Sequence, residues 1–214
     1  MYFIRTPKII QSIYKNYTWK INTNKKEIYL TFDDGPTPEI TEFVLDILKK
    51  YNAKATFFCI GKNIEKYPDI FKRIVSESHS VGNHTQNHLN GWKTNNSDYL
   101  KSTSECDLVI KKSITNIKYQ TPNTIFRPPY GKIKKSQAKV LLKKDVNIIM
   151  WTILSGDFDN NISKEKCLQN VIKNTKSGDI IVFHDSKKAF DRLKYTLPKV
   201  LSYFTKKGYT FNNL

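Results

Sequence analysis

The chain has 214 residues, of which 39% are hydrophobic and 13% aromatic, which suits one folded domain with a substantial core and argues against a disordered chain. Lys and Arg number 36 against 19 Asp and Glu, a formal net charge of +17, but the lysines are scattered in pairs without a run or stripe, so the charge reads as solvated surface and no specific nucleic-acid partner is expected. Cys59, Cys106 and Cys167 are far apart, odd in number and form no C-x-x-C, which argues against both a disulfide framework and a thiolate zinc site.

In chain order, residues 1–26 read as an extension packed on the main domain, which spans 27–214. The extension opens MYFIRTPKIIQSIYKNYTW, and Arg5, Lys8 and Lys15 interrupt every apolar stretch in it. No signal peptide or transmembrane segment is therefore expected. A cytoplasmic location follows from that reading, with non-standard export and peripheral membrane association left open. Short β-branched or aromatic runs then alternate with segments of helical period. Strands are expected at Ile28–Phe32, Ala55–Cys59, His79–Gly82, Thr124–Phe126, Val146–Thr152, Ile180–Phe183 and Tyr209–Phe211. Helices are expected at Glu39–Tyr51, Ser97–Ser113, Lys135–Lys144, Lys164–Thr175 and Phe190–Lys207. The first shows the pattern well, with Ile40, Phe43, Val44, Ile47 and Leu48 on one face. This alternation implies an α/β fold with a parallel sheet, and seven or so strands suggest a closed or nearly closed barrel.

Polar residues follow the runs at the strand C-termini, where such barrels build active sites. Asp33 and Asp34 end the first run in YLTFDDGP; two neighbouring carboxylates repel unless a cation, a proton or water relieves them. A turn explains Gly35 and Pro36 but not two acids closing a buried strand. His84 and His88, in GNHTQNH, stand four apart and can face one ion. An aspartate would complete a set of two histidines and a carboxylate with an open position, which suits a catalytic divalent metal, most often zinc. Arg127 sits in FRPPYG, where Pro128 and Pro129 fix the backbone so that the Tyr130 N–H points in a set direction, as an oxyanion requires. His184 closes IIVFH and reads as a general acid, since imidazole titrates near neutral pH. Asp185 and Ser186 read as the N-cap of the following helix, and His79 as a packed histidine without a catalytic role.

The segments TFDDGP, HSVGNHTQNH, FRPPYG, SGDF and IVFHD, in that order from about Glu27 to Phe211, resemble the polysaccharide deacetylase family (carbohydrate esterase family 4). The resemblance implies a distorted (β/α)7-8 barrel and hydrolysis of N-acetyl, sometimes O-acetyl, groups on sugars. It implies one divalent ion, zinc with Co2+, Ni2+ or Mn2+ as alternatives, held by Asp34, His84 and His88. It further implies Asp33 as base, Arg127 paired to it, Tyr130 as oxyanion donor, and Asp157 orienting the catalytic His184. Phe158 stands where the family often has tryptophan, Leu89 where proline is frequent, and Val182 where leucine often lines the acetyl pocket. None of these removes a chemical group, but Phe158 alters the groove wall. Phe158 and Val182 are the expected lining of a small apolar acetyl site, and Trp92 and Tyr130 are candidates to stack on sugar rings. The expected substrate is an N-acetylglucosamine-containing glycan of chitooligosaccharide or peptidoglycan type, and the expected state a monomer. The alternatives are an O-acetyl glycan esterase, a small-amide hydrolase on the same metal site, and a non-catalytic basic glycan- or nucleic-acid-binding module.

Overall fold

A computed structural model describes residues 2–114 and 124–214. The seven-strand path of the sheet runs β5-β4-β3-β2-β1-β7-β6 with parallel pairing, and β8 joins β1 from outside that path. The strands are β1 (Glu27–Asp33), β2 (Thr56–Cys59), β3 (Ser80–Asn83), β4 (Ile125–Phe126), β5 (Asn147–Ile148), β6 (Ile153–Leu154), β7 (Ile180–His184) and β8 (Thr210–Asn212). The helices are α1 (Lys8–Ile13), α2 (Ile40–Lys50), α3 (Gly61–Lys66), α4 (Pro68–Ser76), α5 (Asn96–Ile114), α6 (Lys135–Leu142), α7 (Lys164–Ile172) and α8 (Phe190–Lys206). The result is a curled, barrel-like α/β sheet. β1 is buried at every residue but its first, as expected of a parallel strand covered on both faces.

Alternation along the strands sorts the side chains into two layers. Phe32 stacks on Phe57 and Phe183 at 5.1 and 6.0 Å between ring centres, in a core shared with Leu45 and Leu48 of α2 and Leu197 and Leu201 of α8. Thr31 and Asp33 of β1 take the opposite face, in register with Val182 and His184 of β7. The face carrying Asp33 and His184 is the one that matters for chemistry.

The run Val146–Thr152, expected as one strand, is divided. Residues 147–148 form β5 and pair with β4, whereas the chain next pairs at 153–154, as β6 against β7. β5 and β6 are the two ends of the strand path, so the four residues between them cross the barrel's gap. Edge strands leave backbone donors and acceptors in need of partners, and the N-terminal segment supplies them. Thr18 N–H donates to Ile148 O and Met150 N–H to Thr18 O, while Thr6 N–H donates to Thr152 O and Leu154 N–H to Ile4 O. Arg5 anchors the segment through two bonds to the fully buried Asp179 (2.7 and 3.1 Å) and a third to Asn174 O. α1, α3 and α4 were not expected from the sequence. α1 and α3 are only six residues long, and Pro68 divides α3 from α4, starting the latter at a position where proline's missing N–H costs nothing.

Asp185 and Ser186 do not cap α8. Ala189 precedes that helix and makes no side-chain capping bond. Asp185 is instead fully buried beneath the turn after β1. His79 is also buried, accepting the Ala55 N–H on Nδ1 and resting edge-on against Phe57. It lies at the start of β3, the end of the strand away from the residues described next.

Candidate active site

Strand ends place the polar residues. Asp33 closes β1 beside His184, which closes β7; His84 follows β3, Arg127 follows β4, and Asp157 lies beyond β6. All therefore gather at one mouth of the barrel.

Arg127 is wholly buried, and nearly all of its fork is used. One terminal nitrogen donates to Asp33 Oδ1 at 2.7 Å and to Thr31 Oγ1 at 2.6 Å. The other donates to Met150 O at 3.0 Å, and Nε to Ile149 O at 3.3 Å. Its guanidinium also lies 4.1 Å from the centre of the Phe58 ring. Burial lowers its pKa and Asp33 opposes that change. Asp33 takes this side-chain bond on Oδ1, and among the described residues no side-chain bond to its Oδ2 accompanies it.

Asp34, His84 and His88 bring one carboxylate oxygen and two ring nitrogens within 4.8 Å of one another. The His84 and His88 Nε2 atoms stand 3.7 and 3.1 Å from Asp34 Oδ1, yet that oxygen is buried and accepts no aligned hydrogen bond. His84 is fixed through Nδ1, 2.7 Å from the Arg127 carbonyl, and burial drives its pKa down to about 4. A neutral His84 therefore carries its proton on Nδ1, and its Nε2 lone pair points at the orphaned oxygen. Two acceptors converging without a proton between them are what a cation resolves, so the donor set fits a divalent metal with open positions. Burial opposes ionisation of Asp34, but the His88 contact and the charge of His184, joined in acid by His84 and His88, outweigh it and hold the carboxyl below its ordinary range.

On the opposite side, His184 Nδ1 lies 2.7 Å from Asp157 Oδ1, and the His184 N–H donates to Asp157 Oδ2 at 2.7 Å. Asp157 is fully buried. Burial works against the imidazolium, but the charge and hydrogen bond of Asp157, followed by Asp34 and Asp33, raise His184 to about 9. Phe158 meets the His184 ring edge-on at 5.2 Å, and Tyr2 packs behind Phe158 at the same spacing. Val182 lies two residues before His184 on the same face and is buried.

Tyr130 stands in a short 3-10 turn at φ 59°, a left-handed conformation uncommon for a residue with a Cβ. Its ring lies 4.6 Å from that of His88 and the residue as a whole is 61% exposed, and its N–H makes no hydrogen bond among the described residues. Trp92 is exposed at the rim, donating from Nε1 to Ile133 O, with Lys132 over its ring. Sequence reasoning missed Thr31, which the alternation of β1 places on the Asp33 face, and Asn63, which no local pattern marks.

The polysaccharide deacetylase family model matches residues 20–149, a span that includes Asp33, Asp34, His84, His88, Arg127 and Tyr130 but stops short of Asp157 and His184. A peptidoglycan-N-acetylglucosamine deacetylase of Bacillus cereus is 36% identical over 91% of this chain and 89% of its own length. A peptidoglycan-N-acetylmuramic acid deacetylase of Bacillus subtilis is 34% identical over 77% of this chain, which spans only 33% of that protein. Among solved structures, a peptidoglycan N-acetylglucosamine deacetylase in complex with 4-naphthalen-1-yl-N-oxidanyl-benzamide superposes with a TM-score of 0.86 at 33% identity, covering 98% of this chain and 95% of that one.

Proposed function

The chain belongs to the polysaccharide deacetylase family, and from that premise we propose that it hydrolyses N-acetyl groups on N-acetylglucosamine-containing glycans of the peptidoglycan type, releasing acetate. The observation that carries the reading is the pairing of two opposed proton-handling devices across one cation-fit cluster: Asp33 held by Arg127, and His184 held by Asp157. The relatives' substrates turn that chemistry towards peptidoglycan sugars.

Asp34, His84 and His88 would hold the metal, taken to be zinc. When bound, a divalent metal of this kind polarises the acetamide carbonyl and makes a water near it more acidic. The chain's own residues do the rest. Asp33 receives the proton of the attacking water, while the 2.7 Å bond from Arg127 holds the carboxylate in place. The free Tyr130 N–H donates to the oxygen on which negative charge develops. His184, protonated through Asp157, gives its proton to the departing sugar nitrogen. Phe158 and Val182 shape a small apolar wall beside His184, which suits a methyl group better than a longer acyl chain.

The test separates binding from turnover. The variant Asp33→Asn should hold zinc as the native protein does and lose most acetate release from N-acetylated peptidoglycan fragments. Near-native turnover by that variant would remove Asp33 from the role of base.

A further inference from the structure

Asp185 is a fully buried carboxylate that the mechanism above does not use, and it does not cap α8, whose N-cap position is Ala189. Its hydrogen bonds reach the turn that carries Asp33 and Asp34 and the helix that follows it. The Asp185 N–H donates to Asp33 O at 3.1 Å as β7 leaves β1. Oδ1 accepts the Gly35 N–H at 3.0 Å, and Oδ2 accepts the Thr41 hydroxyl in the first turn of α2. Thr41 in turn accepts the Thr37 N–H at 2.8 Å, which closes the turn on itself.

The peptide unit between Asp34 and Gly35 has its other polar atom held as well. Asp34 O accepts a hydrogen bond from Asn63 Nδ2 of α3 at 2.7 Å. One peptide plane is thus gripped on both edges by side chains from two different elements. Asp34 needs such a grip, because its φ of 84° is unfavourable for a residue with a Cβ and persists only where the surroundings over-determine it. There is no slack in the arrangement. A Cβ added at Gly35 would lie 1.9 Å from Asp185 Oδ2, so the carboxylate occupies the space that only glycine leaves open.

We propose that Asp185 and Asn63 are positioning residues that clamp the Asp34–Gly35 peptide, fixing the strained backbone of Asp34 so that its carboxylate oxygen faces the two histidine nitrogens. Asp185 also follows His184 directly, so the same side chain locks the metal-binding turn to the end of the strand that supplies the acid. The clamp rests on the assignment of Asp34, His84 and His88 as metal ligands. Groups that orient a ligand are worth about ten- to a hundredfold in metal affinity or activity when removed.

The experiment titrates zinc, against a competing chromophoric chelator, into metal-stripped native protein and into Asn63→Ala, Asp185→Ala and Asp185→Asn. Circular dichroism and the melting temperature of each metal-free protein report folding. The clamp predicts zinc affinity at least about tenfold weaker in Asn63→Ala and Asp185→Ala, with partial recovery in Asp185→Asn, whose amide oxygen can still accept the Gly35 N–H. In acetate-release assays the same variants should lose kcat at unchanged KM. Should Asp185→Ala fail to fold, Asn63→Ala decides the matter, since Asn63 is partly exposed on a short surface helix. A folded Asn63→Ala or Asp185→Ala that binds zinc within twofold of native overturns the clamp. Native protein that binds no zinc overturns the ligand assignment itself, which is a different failure.

Discussion

Replacing Asp157 by asparagine tests the acid side of the site most sharply. The structure holds His184 at about 9 although its burial favours the neutral ring, because Asp157 contributes both its charge and a hydrogen bond at 2.7 Å. At pH 7.5 a group of pKa about 9 is about 97% protonated, whereas at the ordinary histidine value of about 6.5 the figure is about 9%. Asp157→Asn removes the charge that raises His184 most, so burial carries it back towards that ordinary value against the smaller pull of Asp34 and Asp33. Protonation alone then costs up to about tenfold in kcat at pH 7.5. Misorientation of the ring adds to it; the equivalent change in a serine protease triad costs ~10⁴. The sign in stability follows from the raised pKa: the pair's contribution is complete below pH ~6.5, declines as pH rises through about 9, and is on the order of 3 kcal/mol. The assay is a kcat profile from pH 5 to 10 together with urea unfolding of the metal-free proteins over the same range. The variant should show its alkaline limb moved down towards the ordinary histidine value and a stability that falls less between pH ~6.5 and ~9.5. An unchanged alkaline limb in Asp157→Asn would refute the assignment of His184 as the acid held by Asp157.

Arg127→Met leaves the buried Asp33 carboxylate without its partner, and breaking such a pair costs about 3–5 kcal/mol; the variant should unfold at correspondingly lower urea, and equal stability would show that Asp33 finds relief elsewhere. Gly178 adopts φ 79°, and a Cβ there would lie 2.0 Å from the Ile21 carbonyl, so Gly178→Ala should lift the N-terminal segment and destabilise the fold by at least about 2 kcal/mol. Cleavage within residues 2–21 under limited proteolysis would report that release directly, and native-like resistance would count against the segment as the covering of the sheet's gap. Arg5→Ala takes two of the side-chain bonds from fully buried Asp179, leaving it the Lys176 N–H, and should cost about 1–3 kcal/mol in the same unfolding measurement; a loss below about 0.5 kcal/mol would mean that water replaces the guanidinium.

What could be read from the sequence and what could not divide along a physical line. Asp33, His84, Arg127, Asp157 and His184 are each local events, a polar group closing or following an apolar run, and parallel strands with their ends at one mouth then gather them without further information. α2, α5, α6, α7 and α8 carry their own periodicity, and all five expected helices stand within three residues of their expected bounds. The division of Val146–Thr152 is not local, because it depends on two sheet edges lying on either side of a gap. The strand pattern of the run is the same whether it pairs once or twice. The N-terminal segment is expected to pack on the main domain, but which edge it pairs with has no signal for a similar reason, since its isolated backbone bonds at Thr6 and Thr18 leave no hydrophobic period. Asp185 was misread because Asp-Ser before a helix is a common cap pattern, while its true partners, Gly35 and Thr41, lie about 150 residues away.

The central claim is that a metal on Asp34, His84 and His88 drives the removal of acetyl groups from peptidoglycan sugars. Its most direct test is acetate release from N-acetylated peptidoglycan fragments by chelator-stripped protein, titrated with zinc, beside His88→Ala under the same conditions. The account predicts no release before zinc, release that saturates at one equivalent, and none from the variant at that concentration. Equal release from stripped and zinc-loaded protein, or from His88→Ala, would contradict it.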